Sequence, residues 1–504
     1  MGVLARSLLA ACTVVALLPA AGSPSNAVGD TQLRAILIRQ VPIVEQTGRT
    51  ADAGRGGPDA VQAQYDAARD LEDALTALPP VSAGCLQRRN LARALARGEV
   101  LQAEGYDRPS VQIAAEGARL AAAATAALAS QDLGSSCTQG PPVIATETAQ
   151  LNSPESYEPF SGRLQTRAPA RASEVELRVD GHRLAIVNSQ AGQLSLPVLV
   201  KPGRHTLELR FRDRTGRLIA IQRSESVWLL PRSWTTSPAA SRDDRALDAS
   251  LAALANSFPG HAAIWIQNLR SGRQAAWNAD ARFPAASLVK LALLVAGLGR
   301  LGPHPEQASG FYDLQQLTGW SSNLAANRLL RTLAGSEQAG TQLAQNTLDR
   351  LGASSSTYTG DYRVGTALHH TTDAPDPPPL ISGRVTTARD LARILTLLDS
   401  AAAGDQNAQR ITRLDLHQAR LALGLLLDSQ PIGDNLGLFR PWLPLPFPIA
   451  QKNGWLSAAR HTAALLYPAD GPRIAILLTY QPDETRRQAA RLGRQVLQTA
   501  LAAH

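Results

Sequence analysis

Hydrophobic and polar residues follow the period of an amphipathic helix in the first part of the chain. Between residues 30 and 140, apolar positions recur about every 3.6 residues, and proline or glycine follows each run. The runs are Val61–Leu78, Leu86–Glu104 and Val111–Ser130. The pattern predicts an α-helical domain over residues 30–140.

The period shortens to two residues between 141 and 230. Apolar residues alternate with charged ones in two segments, and Asp180-Gly181 provides a tight turn after the first. These residues are Val175, Leu177 and Val179, then Leu207, Leu209 and Phe211. Several short strands separated by turns predict a β-sandwich. The run Val200–Leu207 resembles bacterial immunoglobulin-like modules, so we expect an immunoglobulin-like β-sandwich over residues 141–230.

A Ser-, Thr- and Pro-rich linker at 231–242 precedes the third region, residues 243–504. This region begins and ends with a helical pattern and has two strand hairpins between its terminal helices. The segments are Arg245–Phe258, Ala262–Asn268, Arg273–Trp277, Thr462–Tyr467, Ile474–Tyr480 and Arg486–Ala502. The order predicts an α+β domain: an antiparallel sheet with both terminal helices on one face.

Residues 1–27 have the features of a secretory signal peptide. Arg6 supplies the positive charge, Leu8–Ala21 is apolar, and Ser25-Asn26-Ala27 offers small residues for cleavage. We therefore expect a protein that is secreted or held in the cell envelope. Lipid anchoring at Cys12 is the alternative.

Composition excludes several classes of protein. The chain has 504 residues, of which 44% are hydrophobic, so its domains have enough apolar residues for real cores. Outside the signal, no apolar run is long enough for a multi-span membrane protein. The net charge is +8, but basic residues form no stripe interleaved with aromatic ones, and we expect no nucleic-acid binding.

Three cysteines cannot form a dense disulfide scaffold. Removal of the signal leaves Cys85 and Cys137, which we expect to pair in an exported chain. A disulfide closing such a loop stabilises a fold by about 4 kcal/mol. Two unpaired buried thiols are the alternative.

Candidate chemistry begins at Ser287, three residues before Lys290. The segment 287–301 is apolar on nearly every side, which predicts a buried helix with Ser287 at its N-terminus. Lys290 lies one turn farther on the same face, within reach of the Ser287 hydroxyl. Desolvation favours a neutral amine, which can act as a base, whereas arginine stays protonated.

Lysine is rare in this chain, which makes its positions informative. Only three of the 50 basic residues are lysines: Lys201, Lys290 and Lys452. The last of them begins the run Lys452-Asn453-Gly454. Ser321-Ser322-Asn323 lies between the last two lysines. Two of the three lysines thus fall in two candidate motifs, in the order SxxK, SxN and KxG.

These motifs resemble the serine β-lactamase and penicillin-binding protein superfamily, and most closely its class A group. The resemblance covers roughly residues 241–504. It rests on Phe283–Lys290, Ser321–Leu330, Thr386–Ala392 and Lys452–Trp455. It implies a β-lactamase-like fold for the third region and no cofactor.

The resemblance also implies catalytic roles. Ser287 would attack an amide or ester carbonyl and form an acyl-enzyme, while Lys290 takes its proton. Ser321 would relay a proton to the leaving nitrogen, and Asn323 would orient Lys290. Lys452 would supply positive potential for a substrate carboxylate.

Four further residues are expected to bind the substrate. The backbone N–H groups of Trp455 and Ser287 would form an oxyanion hole, with Gly454 beside them. Asn453 would contact the substrate in place of the family's hydroxyl residue. Arg460 is a candidate for the substrate carboxylate, and a surface strand arginine is the alternative.

The sequence departs from class A in the loop before Thr386. Residues 357–366 contain no glutamate, the residue that activates the deacylating water in that class. Asp361 could replace it, or could be a solvated turn residue. Adjacent His369-His370 are expected to be exposed, and no ligand spacing supports a metal site.

Three functions remain open. The first is an exported serine hydrolase acting on a β-lactam or related amide or ester, with slow release of the acyl group and a role in the response to antibiotics. The second is a D-alanyl-D-alanine peptidase of the penicillin-binding type. The third is a non-catalytic cell-wall binding or sensor protein. We expect a monomer with a small-molecule substrate, a β-lactam or a cell-wall peptide, and possible association with peptidoglycan.

Overall fold

A computed structural model describes most of the chain. The described ranges are 24–53, 57–107, 110–131, 133, 137, 148–150, 154–188, 192–234, 238–362, 370–371, 380–381, 383–429, 433–482 and 485–503. They fall into two compact units, one within residues 1–144 and one within residues 145–504.

The first unit is helical, as the sequence predicts. Its helices are α1 (Pro24–Asp52), α2 (Gly57–Thr76), α3 (Ala83–Asp107) and α4 (Val111–Ala129). Helix α1 was not among the predicted segments, and it continues through the predicted cleavage site at Ser25-Asn26-Ala27. The rest of the predicted signal, with Cys12, lies outside the described residues. No helix in the described ranges is both long and apolar enough to cross a bilayer.

A disulfide and a buried polar cluster cross-link this helical unit. Cys85 of α3 is bonded to Cys137 beyond α4. Between α2 and α3, Gln64 donates hydrogen bonds to Glu99 (2.6 Å) and Gln102 (2.9 Å), and all three are buried. Burial raises the pKa of the Glu99 carboxyl to about 7, because desolvation penalises its charged form.

The second unit begins with eight strands. They are β1 (Thr148–Gln150), β2 (Pro159–Phe160), β3 (Arg163–Ala168), β4 (Glu174–Val179), β5 (His182–Asn188), β6 (Gly192–Pro197), β7 (Gly203–Arg212) and β8 (Leu218–Leu229). One sheet has the order β1-β8-β7-β4-β5, with β2 also paired to β8, and a second sheet pairs β3 with β6. Both sheets contribute to one apolar core.

The apolar residues of the two alternating segments lie in that core, as the alternation predicts. Val175, Leu177 and Phe211 are at most 1% exposed. The turn at Asp180-Gly181 is also confirmed: both residues have positive φ, 52° and 79°, which suits a two-residue hairpin between β4 and β5.

The remainder of the unit is an α+β domain. Its helices are α5 (Arg245–Asn256), α6 (Lys290–Arg300), α7 (Phe311–Gly319), α8 (Asn323–Ala334), α9 (Glu337–Arg350), α10 (Ala388–Ala403), α11 (Gln406–Thr412), α12 (Leu416–Leu427) and α13 (Arg486–Ala502). Its strands are β9 (Arg242–Asp243), β10 (His261–Asn268), β11 (Arg273–Trp277), β12 (Phe283–Pro284), β13 (His370–Thr371), β14 (Leu380–Ile381), β15 (Val385–Thr386), β16 (Ile449–Leu456), β17 (Ala459–Leu466) and β18 (Arg473–Tyr480).

One sheet separates two apolar cores. Its strand order is β16-β17-β18-β10-β11-β9, antiparallel except for β9, which pairs parallel to β11. Helices α5 and α13 pack on one face, as predicted, and α6, α8, α10 and α12 pack on the other. Strand β16 therefore lies at the edge, where alternate backbone groups are directed away from the sheet.

Hydrogen bonds from two tryptophans join the β-rich part of the unit, which comprises β1–β8 and the segment up to Trp234, to this domain. The indole of Trp228 donates to Asp428 (2.8 Å), and the indole of Trp234 donates to Asp399 (3.0 Å). Trp234 belongs to the predicted linker but is only 9% exposed. Burial raises the pKa of Asp399 to about 6, so this linker residue contacts a desolvated carboxyl.

Candidate active site

Ser287 lies on a turn between β12 and α6, which corrects the predicted helix start. Helix α6 begins at Lys290, not at Ser287. The turn before this helix has hydrogen bonds between residues three apart in the chain. Leu288 N donates to Ala285 O (2.9 Å), and Lys290 N donates to Ser287 O (3.3 Å). The residue before Ser287, Ala286, has φ of 47°. A left-handed alanine is strained, and such strain persists where the surrounding structure fixes the backbone.

A buried histidine fixes the segment that leads to this turn. The His461 ring donates from Nε2 to Pro284 O (2.8 Å), while its Nδ1 accepts from Thr479 N (3.3 Å). The ring also packs edge-on against Phe283, with centroids 6.1 Å apart. Burial lowers the pKa of His461 to about 4, so the imidazole is neutral at neutral pH.

Lys290 extends from α6 toward the turn before α8. Its side chain is fully buried, and its ammonium donates to three oxygens: Ser321 O (2.7 Å), Ser322 O (3.1 Å) and Asn323 Oδ1 (2.8 Å). Three acceptors satisfy the three N–H donors of an ammonium group. Asn323 thus contacts the ammonium that it is predicted to orient, and the orienting role itself stays a prediction.

Lys452 reaches the same turn from the opposite side. It is fully buried on the edge strand β16, and its ammonium donates to the Ser321 hydroxyl (2.5 Å) and to Asn453 O (3.1 Å). Ser321 has φ of 59°, a strained value for serine. Its hydroxyl and its carbonyl therefore each accept from a different lysine, Lys452 and Lys290.

Gly454 brings the edge strand against the Ser287 turn. A Cβ at this position would lie 3.1 Å from both Ala285 O and the Ala286 Cβ, so a side chain would force the two segments apart. Trp455 follows on the same edge. The strand thus runs beside the turn that carries Ser287, as an oxyanion hole from the N–H groups of Ser287 and Trp455 requires.

Two predicted substrate-binding side chains point elsewhere. The Asn453 amide donates to Asn435 O (2.7 Å) and accepts from Thr462 Oγ1 (2.8 Å), all within the core. Strand alternation turns it to the face opposite Lys452. The guanidinium of Arg460 bonds Leu456 O and Ala459 O and lies 4.7 Å from the Trp455 ring centroid. Neither side chain is directed at Ser321 in this structure, and a substrate-binding role for each stays a prediction.

Tyr362 is a site residue that the sequence analysis missed. Its ring centroid lies 4.2 Å from Lys290 Nζ, and its hydroxyl donates to Ala286 O (3.4 Å). Asn327 of α8 holds its backbone through two bonds, from Tyr362 N (2.7 Å) and to Tyr362 O (3.2 Å). Arg384 lies over the ring at 3.9 Å. Tyr362 therefore contacts both the residue that precedes Ser287 and the ammonium of Lys290.

The loop without glutamate is described as far as residue 362. Asp361 is half-buried, and its backbone carbonyl accepts a hydrogen bond from Arg384. Residues 363–369, with His369, lie outside the described residues, and only the backbone strand β13 is described at His370. Within the described part of this loop, the ring of Tyr362 lies against the ammonium of Lys290.

The motifs, the fold and a family match now agree. A family model described as the β-lactamase enzyme family matches residues 246–302 and 311–500. This part of the chain belongs to the β-lactamase enzyme family. A search among the curated proteins gave no match.

Solved structures of the β-lactamase family and of penicillin-binding proteins resemble the chain over about half its length. The structure titled PBP-A is 17% identical and covers 52% of this chain and 98% of its own, with a TM-score of 0.40. An ancestral class A β-lactamase is 19% identical and covers 51% and 100%, with a TM-score of 0.39. A β-lactamase from Streptosporangium roseum is 17% identical and covers 51% and 99%, with a TM-score of 0.40.

In this β-lactamase-family domain, hydrogen bonds join the sequence motifs into one cluster. Lys290, Ser321, Asn323 and Lys452 form a continuous set of contacts, and Ser287 lies one turn before Lys290. Tyr362 had no such signal, because an aromatic residue in a loop is usually a packing residue. Its role depends on the path of the loop past α8.

Proposed function

We propose that residues 243–504 form an active-site-serine hydrolase that acylates itself with a β-lactam or a related amide or ester. The observation that carries the proposal is the placement of Lys290 and Lys452 on one turn, at the carbonyl and the hydroxyl of Ser321. One ammonium lies at the Ser321 hydroxyl and the other at the Ser321 carbonyl, and the second of these, from Lys290, is one turn from Ser287; this arrangement is suited to moving a proton.

In the proposed reaction, the Ser287 oxygen attacks the carbonyl carbon and gives its proton to the Lys290 amine. This step requires Lys290 in its neutral form, because an ammonium group has no lone pair to accept the proton. The carbon–nitrogen bond then breaks, and the leaving nitrogen takes a proton through the Ser321 hydroxyl. Lys452 stabilises the negative charge of the substrate, and its ammonium, which donates to the Ser321 hydroxyl, supplies the proton that Ser321 gives up.

Water must then cleave the acyl-serine ester to return Ser287 to its free form. In class A enzymes a loop glutamate activates this water. Here Tyr362 contacts Lys290, and a neutral phenol is a weak base. Burial raises the pKa of Tyr362 to about 12, which keeps the phenol protonated. We therefore propose rapid acylation followed by slow deacylation.

A D-alanyl-D-alanine peptidase is the second candidate, and the same observation favours it. Penicillin-binding enzymes of this type use the three motifs without a loop glutamate, and a peptide substrate would acylate Ser287 by the same steps. The third candidate, a non-catalytic wall-binding protein, requires that Ser287 forms no ester.

Intact-mass measurement separates the three functions. The purified protein is incubated with benzylpenicillin, and the mass is followed over time beside Ser287→Ala and the matched control Ser457→Ala, which removes an exposed hydroxyl from the β16–β17 turn. An adduct that decays with release of hydrolysed product, even slowly, supports the hydrolase, and an adduct that persists without product supports the peptidase. No adduct in the unaltered protein contradicts both.

We further propose export to the cell surface, with residues 1–27 as a signal peptide and residues 141–230 as an immunoglobulin-like module that spaces the hydrolase or contacts the wall. The disulfide between Cys85 and Cys137 supports an oxidising destination, where such bonds persist. Fractionation of cells that express the full chain tests the destination.

A further inference from the structure

Two histidines and two glutamates, residue types that can bind metal ions, lie close together where the β-rich part of the second unit contacts α12. Glu155 precedes β2, His304 and Glu306 lie in the loop after α6, and His417 lies in the first turn of α12. One ligand atom from each lies within 4.8 Å of the others. None of these residues belongs to the motifs around Ser287.

The His417 ring is oriented as the ring of a metal-bound histidine would be. Its Nδ1 is 2.9 Å from Glu158 Oε1, which leaves Nε2 facing Glu306 Oε2 (2.9 Å) and Glu155 Oε2 (3.8 Å). Histidines that ligate metals commonly give the other ring nitrogen to a carboxylate, and this fixes the tautomer and raises the basicity of the ligand.

Glu158 organises two of the four ligands at once. It is only 3% exposed, and while Oε1 pairs with His417, its Oε2 accepts from the backbone N–H of Glu155 (2.9 Å). A buried carboxylate of this kind costs free energy unless its surroundings are positive. It holds the Glu155 segment and the His417 ring in a fixed relation.

The loop that carries the other two ligands is also held in place. Gln418, next to His417 on α12, donates from Nε2 to Gly302 O (2.7 Å) and to Leu298 O (3.2 Å). Glu306 then turns one carboxylate oxygen to His304 Nδ1 (3.4 Å) and the other to His417 Nε2 (2.9 Å). The ligands are thus positioned by neighbours that are not themselves ligands.

We propose that Glu155, His304, Glu306 and His417 bind one Zn²⁺ ion. Two imidazole nitrogens and two carboxylates form a four-ligand set that this ion accepts, whereas Mg²⁺ prefers oxygen ligands and octahedral geometry. Four protein ligands leave no open position, which is typical of a structural site. The ion would join the β-rich part to the loop after α6 and to α12.

Zinc binding is measured on the full chain without a polyhistidine tag, after treatment with chelator. We expect one Zn²⁺ per chain by elemental analysis after dialysis, a rise in Tm, and no such effect of Mg²⁺. His304→Ala should weaken Zn²⁺ binding at least about 100-fold in calorimetry. Because the His304 side chain is exposed, this variant should keep the Tm that the unaltered protein has in chelator.

Two further variants distinguish a built site from scattered surface histidines. Glu158→Gln removes only the carboxylate behind His417, and loss of such a partner lowers metal affinity about 10- to 100-fold. His182→Ala removes an exposed histidine on β5 and should leave Zn²⁺ affinity unchanged. Substoichiometric binding, or equal affinity in His304→Ala and His182→Ala, would overturn the proposal.

Discussion

The ammonium of Lys452 donates to the hydroxyl of Ser321 over 2.5 Å, although 131 residues separate the two in the chain. The carbonyl of the same serine accepts from Lys290 over 2.7 Å. Burying two lysines at one serine costs free energy, because each ammonium must lose its hydration. Such a costly arrangement points to a function for the two lysines. This relationship is the basis of the first two predictions.

Replacing Lys452 by methionine should slow acylation of Ser287 by benzylpenicillin about 100-fold or more, as loss of a positioned proton-transfer group usually does. Methionine has a similar length but lacks the ammonium that donates to the Ser321 hydroxyl. Stopped-flow or quenched mass measurements give the acylation rate. The matched control is Lys201→Met, which removes an exposed lysine at a turn and should leave the rate unchanged. An unaltered rate in Lys452→Met would exclude the proposed proton path.

Tyr362 should act mainly through its ring. In Tyr362→Phe the ring stays beside Lys290 and only the 3.4 Å bond to Ala286 O is lost, so acylation should fall by less than about tenfold. In Tyr362→Ala the buried ring is removed, and we expect about 3–5 kcal/mol of destabilisation together with a larger loss of acylation. Denaturant unfolding and acylation rates measure the two effects, and equal acylation in both variants would contradict the role of the ring.

His461 predicts a loss of stability in acid. Its folded pKa of about 4 lies below the ordinary value of 6.5, so between these values only the unfolded chain binds the proton. Its contribution is therefore complete above about pH 6.5 and falls by about 3 kcal/mol as the pH drops to about 4. His461→Gln can keep a donor to Pro284 O without this titration. Denaturant unfolding of both proteins from about pH 7 to pH 4 should show a weaker pH dependence in the variant.

Glu99 predicts the opposite dependence in the helical unit. Its folded pKa of about 7 exceeds the ordinary value of 4.5, so its contribution is present below about pH 4.5 and is lost as the pH rises through 7. Glu99→Gln should therefore stabilise α1–α3 at about pH 8 by up to about 3 kcal/mol and have little effect in acid. Hydrogen exchange of these helices in the full chain, corrected for intrinsic rates, tests this. Equal protection of both proteins at about pH 8 would contradict the prediction.

Local signals in the sequence predicted most of the elements around the site. The two hairpins predicted from the sequence correspond to β10–β11 and β17–β18, and the motifs predicted Ser287, Lys290, Ser321 and Lys452 as site residues. The start of α6 was wrong by three residues. No local pattern predicts the left-handed alanine at 286, because this turn is held by contacts with the segment that leads into β15 and with β16.

The side-chain directions on β16 and β17 were harder to predict. Asn453 occupies a motif position, yet Asn435 and Thr462 bond its amide. Arg460 lies in β17, outside the motifs, and its guanidinium packs on the ring of Trp455. These partners come from segments on either side of the strand. A motif gives the residue type at a position, but the packing around it determines which groups that residue can still bind.

The sequence by itself determined the helical and strand periods, the order of the three motifs and the rarity of lysine, because these are properties of neighbouring residues. Only the tertiary structure placed Tyr362 beside Lys290 and brought Glu155, His304, Glu306 and His417 within 4.8 Å. Those groups lie far apart in the chain and follow no periodic pattern. Their contacts arise from the way that β2, α6, α8 and α12 pack, which depends on the burial of many apolar side chains at once.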